Sequence, residues 1–373
     1  MMEEMFQGRL GLQQRVVPSY RAAFFDALAQ GCEGGLSVFA GMPLAIEGIE
    51  PVRNLQKAHL VEATNRYFLD PSSALFFCWQ SNFINWLESW QPEVLIVEAN
   101  PRFPDIRKAI EWMQALKRPV IGWGLGAPPI MGVFSGIRKR SRFRLLHSLD
   151  AVIAYSRQGA AQYHRIGLPP ERIYVASNAV APAPDAPPRK KPLKTNERAT
   201  ILFVGRLQWR KRVDMLIRAC STLPKELQPH LLVVGEGPAQ AKLLELAQQV
   251  YPSAKFCGAK FGQDLDAYYD QADLFVLPGT GGLAIQQAMA HGLPVIAAKG
   301  DGTQEDLVRS ENGWLVAPDD LEALTQALNQ ALANPAKLSE MGMASYRIVA
   351  EEINIEQMVK VFLQAIRETN KDE

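Results

Sequence analysis

FVLPGTGGLAIQQAMAHGLPVIA, Phe275 to Ala297, continues an apolar run that begins at Leu274 and ends at Leu277. Pro278 stops that run, Gly279-Thr280-Gly281-Gly282 follows, and the spacing predicts a helix over Leu283 to His291. Gly292 ends the helix before a second apolar strand, Pro294 to Ala297. Strand, glycine-rich loop, helix and strand in that order form the unit of a parallel α/β sheet. The glycines let backbone approach a ligand closely, and the first helical turn leaves amides without partners. The helix dipole favours negative charge there, so the loop suits a phosphate or a sugar. A tight strand-to-helix turn with no ligand uses the same residues, so the loop alone does not decide between the two.

Working outward, the second half carries apolar strands at Thr200 to Val204, His230 to Val234, Ala254 to Phe256, Leu274 to Leu277 and Pro294 to Ala297. Helical spacing appears at Val213 to Ser221, Pro238 to Val250, Leu265 to Gln271, Leu283 to His291 and Leu321 to Ala333. In the first half, strands are read at Leu36 to Phe39, Val94 to Val97, Val120 to Trp123, Ala151 to Tyr155 and Ile173 to Ala176. Helices are read there at Tyr20 to Ala29, Ser73 to Trp90, Phe103 to Leu116 and Ser156 to Ile166. APAPDAPPRKKPLKTNE, Ala181 to Glu197, continues neither a helix nor a central strand and reads as a linker. The expected division is a first domain over 1–182, a linker over 183–198 and a second domain over 199–344, with a helical tail over 345–373 whose spacing suits packing back on the first domain. Two parallel α/β domains of Rossmann-like type, facing each other across a cleft, would bind ligands at the carboxyl ends of their strands.

The 373 residues suffice for two cores, and 47% hydrophobic and 21% charged residues are ordinary for a globular protein. A net charge of +1 argues against a dedicated nucleic-acid binder. Cys32, Cys78, Cys220 and Cys257 form no C-x-x-C pair, which favours free thiols in a reducing compartment over a zinc site. MMEEMFQGRLG at the start does not read as a signal peptide, and no apolar run is long enough to span a bilayer.

Gly205-Arg206-Leu207-Gln208-Trp209-Arg210-Lys211-Arg212 follows directly on the strand ending at Val204. Arg206 and Lys211 suit a diphosphate, since arginine offers a planar fork and lysine a point charge. A solvated basic loop is the alternative. Val234-Gly235-Glu236-Gly237-Pro238 and Phe256-Cys257-Gly258 end two further strands in glycine. With the loop after Leu277, four such turns stand at one sheet edge, an arrangement far less common than any one of them.

With these residues in place the chain resembles the large retaining glycosyltransferase family of GT-B fold known as family four, or group one. The landmarks run in order: strand-Gly-Arg-Leu with Lys211 five residues after Arg206, strand-Gly-x-Gly-Pro, Phe-x-Gly, Ala272 to Pro278, Gln287-Ala288-Met289-Ala290-x-Gly292-x-Pro294-Val295-Ile296, and Asn312 to Val316. Leu149 to Ser156, Arg172-Ile173 and Asn178 resemble the family's stretch before the linker. The resemblance implies transfer of a sugar from a UDP-, GDP- or ADP-linked donor with retention, with no cofactor and no essential metal. It assigns Arg206 and Lys211 to the donor diphosphate. Gly205, Gly235, Gly258, Gly279, Thr280, Gly281, Gly282, Leu283, Gln287 and Glu305 fall on the donor side, and the acceptor is not identified.

The family's first signature glutamate is Gly279 here and its second is Gln287, whose amide still suits a ribose. Without a side chain at Gly279, sugar contacts fall to backbone amides or to Glu305, where relatives carry a comparable glutamate. Leu125, beside Gly126, stands roughly where relatives carry a histidine, and His147 and His291 read as structural or solvated. The N-terminal loop Arg15 to Arg21 lacks the family's glycine pair; Tyr20 and Arg21 there suit either ligand contact or helix capping. These departures leave open an active transferase with altered sugar contacts and a catalytically silent GT-B protein that binds a nucleotide or a partner. The basic run Arg138 to Leu146 reads either as a solvated helix face or as a peripheral contact with anionic lipid, which would place a cytoplasmic protein at the inner membrane face.

Overall fold

The computed structural model describes residues 5–69, 73, 76–132, 134–188 and 198–370 of the chain. In chain order the first elements are β1 (Leu10–Val16), α1 (Ala22–Gln30), β2 (Leu36–Gly41), β3 (His59–Phe68), β4 (Phe77–Ser81), α2 (Phe83–Trp90) and β5 (Val94–Glu98). They are followed by α3 (Asp105–Ala115), β6 (Val120–Gly124), α4 (Ser135–His147), β7 (Ala151–Ala154), α5 (Arg157–Arg165) and β8 (Ile173–Val175). Next come β9 (Thr200–Val204), α6 (Val213–Thr222), β10 (His230–Val234), α7 (Gln240–Val250), β11 (Lys255–Phe256), α8 (Gly262–Gln271) and β12 (Leu274–Leu277). The chain continues through α9 (Leu283–Ala290), β13 (Val295–Ala298), α10 (Thr303–Leu307), β14 (Gly313–Val316), α11 (Leu321–Leu332), α12 (Pro335–Glu351) and α13 (Ile355–Thr369).

Two compact units result: residues 1–180 with 355–373, and residues 181–354. The helical tail expected from 345 starts at 355 instead, because α12 runs unbroken to Glu351 and buries Ser345, Ile348 and Val349 within the second unit. Most of the expected linker, residues 189–197, lies outside the described residues.

The first unit has an eight-stranded sheet in the order β4-β3-β2-β1-β5-β6-β7-β8, parallel except for the antiparallel β3–β4 edge. Strand order reverses between β1 and β5. The helix expected over Ser73 to Trp90 divides here into β4 and α2. Phe77 to Ser81 pairs antiparallel with Thr64 to Phe68, and Asn82 at φ 65° breaks the chain before α2. The central strand β1 escapes the apolar pattern because it carries Gln13 and Gln14. Gln13 is fully buried, its Nε2 donating to Gln80 Oε1 at 2.6 Å and its Oε1 accepting from Glu98 N at 3.1 Å. A buried amide costs little when both ends are bonded.

Helix α13 completes the core of the first unit. Phe362 stands edge-on to Phe24 and Trp123, with ring centroids 5.0 Å from each. Phe362→Ala is expected to cost about 3–5 kcal/mol. Urea unfolding followed by tryptophan fluorescence checks this, and a loss below about 1 kcal/mol would mean that α13 is dispensable there.

The second unit has a wholly parallel six-stranded sheet in the order β11-β10-β9-β12-β13-β14. Numbered within the unit this is 3-2-1-4-5-6, so the reversal falls between β9 and β12, where ligands bind in such sheets. All four residues of β12 and of β13 are buried, as expected of strands covered on both faces. Among the described residues no helix is long and apolar enough to cross a membrane.

Candidate functional site

At the reversal point of the second unit, the loops after β9, β10 and β11 interlock through backbone. Gly205 N donates to Val234 O at 3.0 Å, Leu207 N to Glu236 O at 2.8 Å and Gly235 N to Gly258 O at 2.8 Å. Gly235, at φ 134°, lies so close to the Gly205 carbonyl that any Cβ would overlap it. The three glycines read from the sequence are therefore brought together as one stacked rim.

The loop after β12 packs on the loop after β9. Trp209–Lys211 forms one 3-10 turn, and Thr280 N donates to Arg210 O at 3.0 Å. A Cβ at Gly279 would overlap Arg210 O and the Lys211 backbone, and one at Gly281 would overlap Lys211 Nζ. Gly279 is therefore an approach point for the neighbouring loop, and the space a side chain would fill there holds backbone. Among the described residues the amides of Gly281, Gly282 and Leu283 at the start of α9 have no acceptor, whereas the Thr280 amide is committed to Arg210.

The four cations of this loop differ sharply. Arg212 is paired with Asp214 and Asp319. Arg210 donates to Gln208 Oε1 at 2.8 Å and to Thr280 Oγ1 at 3.1 Å. Arg206 is exposed at the rim. Lys211 is largely buried and has no carboxylate partner among the described residues; burial, then the neighbouring Arg210, pull it down from 10.5 to about 8. A desolvated cation beside a second cation and orphan amides fits an anion.

Helix α10 faces the same loop. Gln304 Nε2 donates to Gly281 O at 2.8 Å, and its Oε1 accepts from Asp301 N at 3.1 Å. The neighbouring Glu305 has a buried Oε2 with no partner among the described residues. Gln287 is exposed on α9 and accepts from Tyr269 OH at 3.3 Å. His291 stacks on Tyr269 at 5.1 Å between Asp266 and Asp270, which makes it a surface clamp on α8. Asn312 is buried, accepting from Arg309 N at 2.6 Å and donating to Leu307 O at 3.1 Å, and so is structural.

The first unit has its own concavity at the carboxyl ends of β5, β6 and β7, a cavity of about 470 Å³ lined by Glu98, Arg102, Trp123, Arg138, Arg142 and Tyr155 among others. Leu125 and Gly126 line it too, Gly126 N donating to Tyr163 OH at 3.2 Å. Glu98 Oε1 accepts from Arg15 N at 2.6 Å across the β1/β5 reversal, and its carboxyl is pushed up by burial. Arg15 itself is clamped by Glu47 at 2.7 Å, so its charge is structural. Arg21 is buried over the rings of Trp123 (5.0 Å) and Tyr155 (5.7 Å), with Nη1 unpartnered among the described residues, while Tyr20 is exposed. The basic residues of α4 divide: Arg138 and Arg142 line the cavity and Lys139, Arg140 and Arg144 face solvent. Glu98 and Arg102 were not singled out by sequence, and Arg142 only as part of the basic run; a carboxylate directly after an apolar strand was the available signal for Glu98. Among the described residues no group of three or more His, Cys, Asp and Glu side chains is placed to hold a metal ion.

Residues 186–348 match the model of the family described as glycosyl transferases group 1. The chain is similar to the GDP-mannose-dependent alpha-(1-6)-phosphatidylinositol monomannoside mannosyltransferase of Mycolicibacterium smegmatis, with 31% identity over 184 residues, 46% of this chain and 48% of that protein. It thus spans about half the length of the curated relatives it matches. Sucrose-phosphate synthase from Thermosynechococcus elongatus is similar in structure, with TM-score 0.71 and 19% identity over 97% of this chain and 99% of that one. Anabaena Alr3699/HepE in complex with UDP gives TM-score 0.69 and 17% identity over 96% and 99%. The likeness to these structures is one of fold, and the fold is GT-B: two α/β domains built on parallel sheets.

Proposed function

We propose that this chain, which belongs to the group 1 glycosyltransferases through residues 186–348, transfers a sugar from a nucleotide-sugar donor to an acceptor hydroxyl with retention of anomeric configuration, using neither metal nor cofactor. Lys211 carries the reading: a largely desolvated lysine with no carboxylate partner among the described residues, held against Gly281 at the sheet's reversal point. As the glycosidic bond breaks, charge collects on the departing diphosphate. Lys211, Arg206 and the amides of Gly281, Gly282 and Leu283 are the groups to receive it, and such fixed donors are commonly the largest single contribution to catalysis. The sugar itself passes through an oxocarbenium-like state. Glu305, with its unpartnered oxygen, takes the sugar hydroxyls that Gly279 cannot reach, and Gln287 takes the ribose.

GDP-mannose is named for the Mycolicibacterium relative and UDP occupies the Anabaena structure, so guanosine and uridine diphosphate sugars are the first donors to try. Release of nucleoside diphosphate from a panel of donors tests the activity. No release from any of them, despite tight diphosphate binding, would leave the silent GT-B reading in its place.

The lysine also sets a pH dependence. An anion binds the protonated form, so binding above the free pKa of about 8 requires proton uptake. Diphosphate affinity is expected to fall roughly tenfold for each further pH unit. Titration calorimetry between pH 7 and 10 reads the slope, and a flat profile would remove Lys211 from the site.

A further inference from the structure

We infer that the arginine-lined cavity of the first unit takes the acceptor, and that this acceptor carries a phosphate or phosphodiester group seated among Arg102, Arg138 and Arg142. The inference rests on the transferase reading and names its acceptor class.

Three guanidinium groups from two separate elements line one cavity. Arg138 and Arg142 stand one turn apart on α4, and Arg102 comes from the turn between β5 and α3, where Asn100 Oδ1 accepts from its backbone N at 3.1 Å. None of the three makes an ion pair among the described residues. Among the described residues Arg138 donates to the Met131 carbonyl and Arg142 to the Pro128 carbonyl. Burial lowers both Arg102 and Arg142, and the nearby Arg138 lowers them further. Like charges gathered without a counterion destabilise the empty site, and a multiply charged oxyanion removes that cost. Arginine forks match phosphate oxygens two at a time.

The one carboxylate among the described residues of the cavity does not serve as their counterion. Glu98 is bonded to Arg15 N, and Arg15 is the cation that acts on it. The cavity therefore has a cationic pole and a separate hydrogen-bond-accepting pole. Phe77 and Tyr155, both part-exposed, line the cavity too, ring faces of the kind that stack on a sugar or polyol ring. Lys139, Arg140 and Arg144 face solvent on the same helix and are not needed for this seat.

The test is calorimetry on the full chain with the donor site saturated by nucleoside diphosphate, titrating glycerol 3-phosphate or, separately, vesicles of phosphatidylglycerol in phosphatidylcholine. A second binding event is expected in at least one format. It should weaken by at least about tenfold in Arg102→Gln/Arg142→Gln, each arginine hydrogen bond to phosphate being worth about that much. Binding of the soluble phosphate marks a free acceptor, and binding of vesicles alone marks a lipid-borne one. The double variant removes like-charge repulsion, so its melting temperature should not fall, and its diphosphate binding should stay intact. Lys211→Met should show the reverse, losing the diphosphate and keeping glycerol phosphate or vesicle binding. No second event in either format, or one that survives the double substitution, overturns the inference. Loss of diphosphate binding in the wild type would instead fault the donor reading.

Discussion

Lys211→Met is expected to slow transfer by about 10²–10³ and, at the same time, to make the unliganded protein more stable. The two effects share one cause. Burial holds the folded-state pKa of Lys211 near 8 against 10.5 in the unfolded chain. Below pH 8 the unfolded state keeps a fully solvated charge that the folded state holds poorly, so folding is penalised there. The penalty fades as pH rises from 8 to 10.5, because the unfolded chain binds the extra proton in that window. A shift of this size corresponds to about 3 kcal/mol. Methionine fills the same space without the charge. Urea unfolding at pH 7 should show the variant to be the more stable form, with the difference closing by pH 10.5. Equal stability at pH 7 together with undiminished transfer would mean that the lysine is an ordinary surface residue.

Gly279→Glu installs the glutamate that the family resemblance implies for this position, yet it is expected to abolish diphosphate binding and to destabilise the second unit by about 1–3 kcal/mol or more. A Cβ at this position meets the Arg210 carbonyl and the Lys211 backbone, not a flexible tip that can swing away. Making room means displacing the 3-10 turn that presents Lys211 and breaking the Thr280 N to Arg210 O bond of 3.0 Å. Gly279→Ala should already show most of the loss, since the first carbon creates the overlap. A glutamate variant that melts like the wild type and transfers faster would show that the loop opens readily and that the glycine is a simple deletion of function.

The second unit was legible almost residue by residue. Thr200–Val204, His230–Val234 and Leu274–Leu277 stand where the apolar runs placed them, because parallel strands covered on both faces read as unbroken hydrophobic stretches. The first unit was less so. Its central strand carries Gln13 and Gln14, whose partner Gln80 is 67 residues away in the case of Gln13, and local pattern does not register bonds of that range. The same limit applies to the sites. Glycine spacing announced a rim of close backbone approaches, but the reason for Gly279 is a loop some 70 residues earlier in the chain. Arg102 was passed over, and Arg138 and Arg142 were read as part of one basic run, because the division of that run depends on which side of α4 faces the cavity.

The proposed transfer depends on a diphosphate seat at Lys211 and Arg206. The most direct measurement is a thermal shift with UDP, GDP and ADP on the wild type beside Arg206→Ala. One of the three, at about 100 times its Kd, should stabilise the wild type by roughly 2.7 kcal/mol and leave the variant unshifted. No shift with any diphosphate, or an equal shift in both proteins, would contradict the site.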